Sequence, residues 1–172
     1  TVCAATAPAA ATTPASAPAA GTASAEPAPL PADSPEMVVR DTLISYLQKM
    51  EPQEYATLSS ENFDRDQINL RIKLYEQSGN ADNLQDSYLY YLTKLPPDPK
   101  DYADVLSRLA WLLEQRDSDA GLLTLLFDVA DHFPSSAKPV QQIRYVQSEY
   151  LLKTGGPQAA LVVLQKLSSA SD

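Results

Sequence analysis

The chain has 172 residues, a formal net charge of −9 and one cysteine. This length holds one ordinary domain, and no apolar run approaches the ~20 residues that span a bilayer. The basic side chains are scattered singly and form no cluster that could follow a phosphate backbone, which argues against a nucleic-acid partner. The acidic balance instead favours a partner with a basic patch.

Composition divides the chain near residue 33. Residues 1–33 contain six prolines and no aromatic residue, and Glu26 and Asp33 carry their only side-chain charges. Such a segment cannot bury enough apolar surface to offset the conformational entropy that folding removes. We therefore predict a disordered Ala/Pro/Thr-rich tether over 1–33 and a compact domain over 34–172, which holds every aromatic and every basic residue.

The first predicted helix of this domain covers 35–50. Ser34 supplies the N-cap hydroxyl and Pro35 suits the first helical position, while Pro52 stops the helix. A short helical turn is expected around 53–58. The stripe expected to face the core is Val39, Leu43, Tyr46 and Met50.

Two helices are predicted next, over 61–78 and 83–95. Ser60 is the expected cap of the first, and Gly79 ends it because glycine readily adopts the left-handed conformation. Pro96 forces the exit from the second. The residues expected to be buried are Ile68, Ile72, Tyr75, Leu84, Tyr88, Tyr91 and Leu95.

Four further helices are predicted over 99–116, 119–132, 139–154 and 157–168. No segment shows sustained alternation of apolar and polar residues, so we predict an all-α domain of about seven helices. The expected caps and turn residues are Asp98, Ser118 and Gly155-Gly156, and the expected inward residues are Leu106, Leu109, Ala110, Leu113, Leu122, Leu126 and Val129.

One helical template recurs at a fixed offset of 38 residues. A period of this length with two helices per unit is typical of stacked helix-hairpin arrays. Such arrays bury one face against their neighbours and present the other as a groove, and they usually bind proteins. The aligned sets include Leu84, Leu122 and Ala160, then Tyr88, Leu126 and Leu164, then Tyr91, Val129 and Leu167.

The segment Lys153-Thr-Gly-Gly-Pro-Gln-Ala-Ala-Leu161 resembles the centre of a tetratricopeptide repeat, and Pro96 and Pro134 fall where that repeat usually closes. The resemblance covers about 61–168. Two features depart from the family: the period is 38 residues rather than 34, and only the third copy has a small residue, Ala160, at the small position of the second helix. An irregular helical bundle is the alternative interpretation.

The resemblance to tetratricopeptide repeats implies a partner-binding groove along the first helix of each unit. Trp111 is the most interesting candidate, because a rigid aromatic side chain with one donor is a favoured interface anchor. The alternative is that Trp111 fills the core between hairpins. Charged residues such as Glu114 and Arg116 are most simply solvated surface. The candidate groove residues are Asn69, Lys73, Trp111, Glu114, Tyr145 and Glu149.

The sequence offers little for catalysis. His132 is the only histidine and falls near the end of a predicted helix, where an imidazole favourably meets the helix dipole. Asp117, Asp119 and Asp128 mimic three positions of a calcium loop but lack its glycine, so we interpret the first two as helix-capping residues. We expect no enzymatic activity, no cofactor and no metal site.

Cys3 resembles the lipid-bearing cysteine at the N-terminus of bacterial lipoproteins, although Val2 precedes it where Gly, Ala or Ser is usual. With its tether and helical domain, the chain resembles outer-membrane lipoproteins of the LpoP type, which activate the bifunctional peptidoglycan synthase penicillin-binding protein 1b. This resemblance implies a non-enzymatic activator in the periplasm, held at the outer membrane through a lipid on Cys3. The alternatives are a cysteine without lipid, and an assembly factor or pilotin for outer-membrane or pilus components.

Overall fold

The computed structural model describes residues 26–170, which form eight α-helices and one 3₁₀ turn without any strand. The all-α prediction is therefore confirmed, with one helix more than the seven expected. Residues 1–25, with Cys3 and most of the predicted tether, lie outside the described residues. The helices are α1 Pro35–Met50, α2 Pro52–Ser60, α3 Arg65–Ser78, α4 Ala81–Thr93, α5 Tyr102–Gln115, α6 Ala120–Val129, α7 Lys138–Thr154 and α8 Pro157–Ala170, with the 3₁₀ turn at Ala130–His132.

Helix α1 begins as its sequence predicts, and its predicted stripe is right except at Met50, since Tyr46 also packs against the core. The Ser34 side chain accepts a hydrogen bond from the Met37 amide. Val39 and Leu43 are fully buried with Leu47, whereas Met50 is 58% exposed. The prediction for Met50 is wrong: α1 packs against α2, α4 and α6, and Leu47, one turn after Leu43, takes the buried position.

The predicted helix over 61–78 begins too early. Helix α2 continues to Ser60, whose hydroxyl donates a hydrogen bond to the Thr57 carbonyl instead of capping a helix. Asp64 is the actual cap of α3: its carboxylate accepts from the Gln67 amide at 2.8 Å, and the Gln67 side chain accepts from the Asp64 amide at 2.9 Å. This reciprocal pair satisfies two backbone donors at once, which a lone serine cannot do.

At the start of α6 the cap is Asp119, which the sequence also indicated as a capping residue, and not Ser118. The Asp119 carboxylate accepts from the Leu122 amide at 3.0 Å and caps α6, while the neighbouring Ser118 hydroxyl makes no hydrogen bond within 26–170. Helix α5 begins at Tyr102, and Asp98 caps the turn before it by accepting from the Lys100 amide. The prediction for Gly79 is confirmed, since it ends α3 with a φ of 69°.

The helices pack as successive hairpins. Helix α3 packs on α4, α5 on α6 and α7 on α8, and α5 also contacts α4 and α7. At one aligned position of the repeat, Tyr88 is 3% exposed and Leu126 is fully buried, but Leu164 is 42% exposed. The outer face of α8 is therefore uncovered by any residue in the described part of the chain. None of the helices within 26–170 is both long and apolar enough to cross a membrane.

The chain just before α1 lies against the domain. Residues 26–31 have no regular structure, and the Pro31 carbonyl accepts a hydrogen bond from the Ser34 amide. The Glu26 carboxylate pairs with Arg65 at 3.4 Å. Arg65 is itself buried, donates to the Pro96 carbonyl and lies over the Tyr91 ring. Glu26 is thereby held against the first residue of α3.

Candidate functional site

A groove of about 800 Å³ runs between α4, α5 and α7. Its position follows from the packing order, because α5 contacts both α4 and α7 and leaves a concave side where those two neighbours diverge. A second cavity, beside α2, α3 and α4, is much smaller at about 140 Å³. The large groove is lined by Glu76, Leu84, Tyr88, Ser107, Arg108, Trp111, Leu112, Lys138, Gln141, Gln142, Tyr145 and Val146.

Two aromatic side chains flank the groove. Trp111 projects from α5 and Tyr145 from α7, and each is 55% exposed. Large aromatic side chains usually bury most of their surface inside a domain of this size. Two of them facing one concavity from different helices make a surface that is apolar and rigid. The residues beneath them are buried and mainly apolar: Leu84, Tyr88, Leu112 and Val146.

The charged side chains at one end of the groove are joined by hydrogen bonds. The Glu76 carboxylate accepts from the Tyr88 hydroxyl at 2.7 Å and from Arg108 at 3.0 Å. Burial, and then the hydrogen bond to Glu76, raise the pKa of the Tyr88 phenol above its ordinary value. Tyr88 therefore stays protonated and keeps donating. Arg108 also donates to the Asp104 carboxylate at 2.9 Å. Glu76, Arg108 and Asp104 therefore pair with one another at the edge of the groove.

The opposite wall of the groove carries polar side chains of α7. Gln142 accepts a hydrogen bond from the Ser107 hydroxyl at 3.3 Å, which links α7 to α5 across the groove. Lys138 stands at the first position of α7, and Gln141 follows one turn later. A hydrogen bond with Glu149 raises the pKa of the Tyr145 phenol, so Tyr145 also remains a neutral ring at physiological pH.

The structure brings together only some of the predicted groove residues. Trp111 and Tyr145 both line the groove, and the exposed position of Trp111 excludes the alternative in which it fills the core. Glu149 is half-buried and lies one turn beyond Tyr145 on α7. Asn69 and Lys73 are exposed on α3 and do not line the groove.

Glu114 requires a correction. It was expected as solvated surface and as a groove residue, but it is only 2% exposed. Its carboxylate pairs with Lys153 of α7 and accepts from the Gln115 side chain at 2.9 Å. The expectation failed because α7 covers this part of α5, which the single-helix pattern does not reveal. Glu114 thus joins α5 to α7 behind the groove rather than inside it.

Several lining residues were not predicted from the sequence. Gln141 and Gln142 lie four and three residues before Tyr145, and therefore on the same face of α7. Extending the face of Tyr145 by one helical turn would have found them. The buried lining residues Leu84 and Leu112 could not have been found in this way, because their pattern is that of ordinary core positions.

Among the described residues, no group of His, Cys, Asp and Glu side chains is arranged to hold a metal ion. His132 is exposed in the 3₁₀ turn and does not line the groove. The groove itself is lined by aromatic, aliphatic, amide and charged side chains.

Comparisons with known proteins assign no family to the chain. No protein-family model, no curated protein and no solved structure matches it.

Proposed function

We propose that this protein is a non-enzymatic binding protein that holds a segment of another protein in the groove between α4, α5 and α7. The observation that carries the proposal is the pair Trp111 and Tyr145, each 55% exposed beside a cavity with buried apolar residues beneath. Exposed aromatic side chains around an apolar concavity are typical of binding sites. Tryptophan and tyrosine are also the residues that most often dominate binding energy.

The partner that the LpoP resemblance implies is a bifunctional peptidoglycan synthase of the penicillin-binding protein 1b kind, in the periplasm. Binding would favour the active conformation of the synthase through higher affinity for that conformation. A lipid on Cys3 would anchor the protein to the outer membrane, and the tether would raise the concentration of the domain near its partner. The groove supports the binding role, while the identity of the partner rests on the resemblance alone.

The test is a binding experiment with one groove variant and one matched control. Trp111→Ala removes the groove anchor, and Leu161→Ala removes an equally exposed apolar side chain on α8, since both are 55% exposed. The chain and both variants are immobilised, proteins of an envelope extract are captured and identified, and the purified synthase is then titrated against each variant. Circular dichroism and thermal unfolding show whether each variant keeps the fold.

We expect Trp111→Ala to weaken partner binding by about 2 kcal/mol, roughly thirtyfold, while Leu161→Ala binds like the parent. Unchanged affinity for the partner in a folded Trp111→Ala variant would show that the groove is not the binding site. The extract could instead yield outer-membrane or pilus assembly proteins whose capture is also lost in Trp111→Ala. That result would support the groove as the binding site and would identify the protein as an assembly factor or pilotin.

A further inference from the structure

The charged side chains that line the groove differ in whether they have a partner. Arg108 pairs with Glu76 at 3.0 Å and with Asp104 at 2.9 Å, so these three charges are occupied by one another. Lys138 is exposed at the first position of α7 and makes no ion pair with any residue in the described part of the chain. The unpaired charge that lines the groove is therefore positive, although the whole chain carries −9.

The start of α7 adds to this positive charge. Ala137, the residue before the helix, provides no side-chain cap, and the first turn contains no acidic residue. The positive end of the dipole of this 17-residue helix is thus not neutralised by its own side chains, and a nearby anion is stabilised there. A carboxylate beside Lys138 would interact favourably with both the ammonium group and the helix end.

Lys138 and the aromatic pair occupy separate places along the groove. Lys138 and Tyr145 lie on one face of α7, two turns apart, or about 10 Å at ~1.5 Å per residue. Because long helical side chains lean towards the N-terminus, the ammonium group is expected somewhat farther from the ring. Four residues of an extended segment span about 13 Å at ~3.3 Å per residue, and their first and last side chains share one face.

The side chain between these two places favours an extended ligand. Gln141 lines the groove between Lys138 and Tyr145, and within residues 26–170 no hydrogen bond engages its side chain. A side-chain amide both donates and accepts. It can therefore pair with the backbone N–H and C=O groups that an extended segment leaves free, whereas a helix bonds most of these groups internally.

We propose that the groove binds an extended segment of the partner in which an Asp or Glu side chain lies beside Lys138. An apolar side chain about four residues away then lies between Trp111 and Tyr145. This inference rests on the proposed function, because it defines the ligand of the same groove. Net charge alone favours a partner with a basic patch, but the contact surface selects an acidic and apolar segment.

The test uses the full chain and synthetic peptides with blocked ends. Three peptides carry one phenylalanine with glutamate, glutamine or lysine about four residues away on each side, so that either chain direction can bind. A fourth places both glutamates about seven residues away, which is the separation that a helical ligand needs. Trp111 is the only tryptophan in the chain, so its fluorescence reports binding in the groove.

The charge of Lys138 is tested against that of another lysine. Lys138→Gln removes the positive charge from the groove. Lys166→Gln removes one from α8, outside the groove, and both lysines are exposed. The two variants change the net charge equally, so any difference between them arises at the groove itself.

We expect the parent to bind the first glutamate peptide about threefold tighter than the glutamine peptide and about tenfold tighter than the lysine peptide. Lys138→Gln should abolish the preference for glutamate over glutamine, and Lys166→Gln should keep it.

The inference is overturned if the parent binds none of the peptides at millimolar concentration, binds them without regard to charge, or prefers lysine. It is equally overturned if the preference for glutamate survives in Lys138→Gln, or if the fourth peptide binds more tightly than the first. These results are distinct from failure of the proposed function, which is shown by unchanged partner affinity in Trp111→Ala.

Discussion

The groove and the outer face of α8, formed by Leu161 and Leu164, both expose apolar side chains, but for different physical reasons. Leu164 occupies a repeat position that is buried in the two earlier copies, and it is exposed because nothing in 26–170 packs over it. Trp111 is exposed although neighbours pack on both sides of α5. Its exposure therefore does not come from a missing neighbour.

Exposed apolar residues on the two surfaces therefore have different functional implications. On α8 the exposed apolar side chains include Leu161, Val162 and Leu164, and Lys166 is the only charged residue of that helix. In the groove the aromatic rings stand beside buried apolar residues, with donors arranged along the wall. A concave surface of mixed chemistry can select a partner, whereas an exposed apolar stripe offers burial without specificity.

The largest expected effect is on the free energy of unfolding, and it compares Leu126 with Leu164, which occupy the same position of the repeat. Leu126→Ala should lower the free energy of unfolding by about 3 kcal/mol, because it leaves a cavity at a fully buried site. Leu164→Ala, at the equivalent site on α8, should cost less than about 1 kcal/mol. Urea unfolding followed by circular dichroism measures both.

Equal losses in these two variants would mean that α8 is covered in solution. The contrast between the two surfaces would then be lost, because the α8 face would be buried like the earlier copies of the repeat.

The smaller effect is a pH-dependent change at a site away from both surfaces. Burial, and then the nearby charge of Asp86, raise the pKa of Glu54 above its ordinary value. The folded state therefore binds the Glu54 proton more tightly than the unfolded state, and stability falls as pH rises from the ordinary value through the raised value. Glu54→Gln should stabilise the protein at pH 7 by less than about 1 kcal/mol, because glutamine can donate to Asp86 without a charge.

This gain should disappear as pH falls below the ordinary pKa of glutamate, where Glu54 is protonated in both states. Thermal unfolding from pH 7 to pH 4 follows the change, with the exposed Glu61→Gln variant as control. A gain that persists undiminished at low pH would show that the charge of Glu54 is not its cause.

Much of the helical framework could be predicted from local chemistry. Ser34 and Gly79 mark helix ends because a hydroxyl cap and a left-handed glycine act through their own backbone neighbours. The offset of 38 residues located the buried stripes of α4, α5 and α6, since helical periodicity repeats where packing repeats. These features depend on a few adjacent residues and can therefore be predicted from one sequence.

Among the positions that the sequence left open or predicted wrongly, one is a local choice between two caps, and two depend on contacts between distant parts of the chain. Ser60 and Asp64 are both acceptable caps, and the choice between them follows from where α2 ends and where Gln67 completes the reciprocal pair. Glu114 looks like a surface residue until α7 places Lys153 against it. Trp111 could have been core or surface on pattern alone, and only the arrangement of α4, α5 and α7 decides between them.

The central claim is that the partner binds the groove and not the end of the array. The most direct measurement is site-specific photo-crosslinking of the intact chain to its partner, with a photo-reactive phenylalanine analogue at Gln142 or at Leu161. Gln142 lines the groove without being an anchor, and Leu161 lies on the outer face of α8. We predict a crosslinked complex from position 142 and none from position 161. A complex that forms from position 161 and not from position 142 would contradict the account.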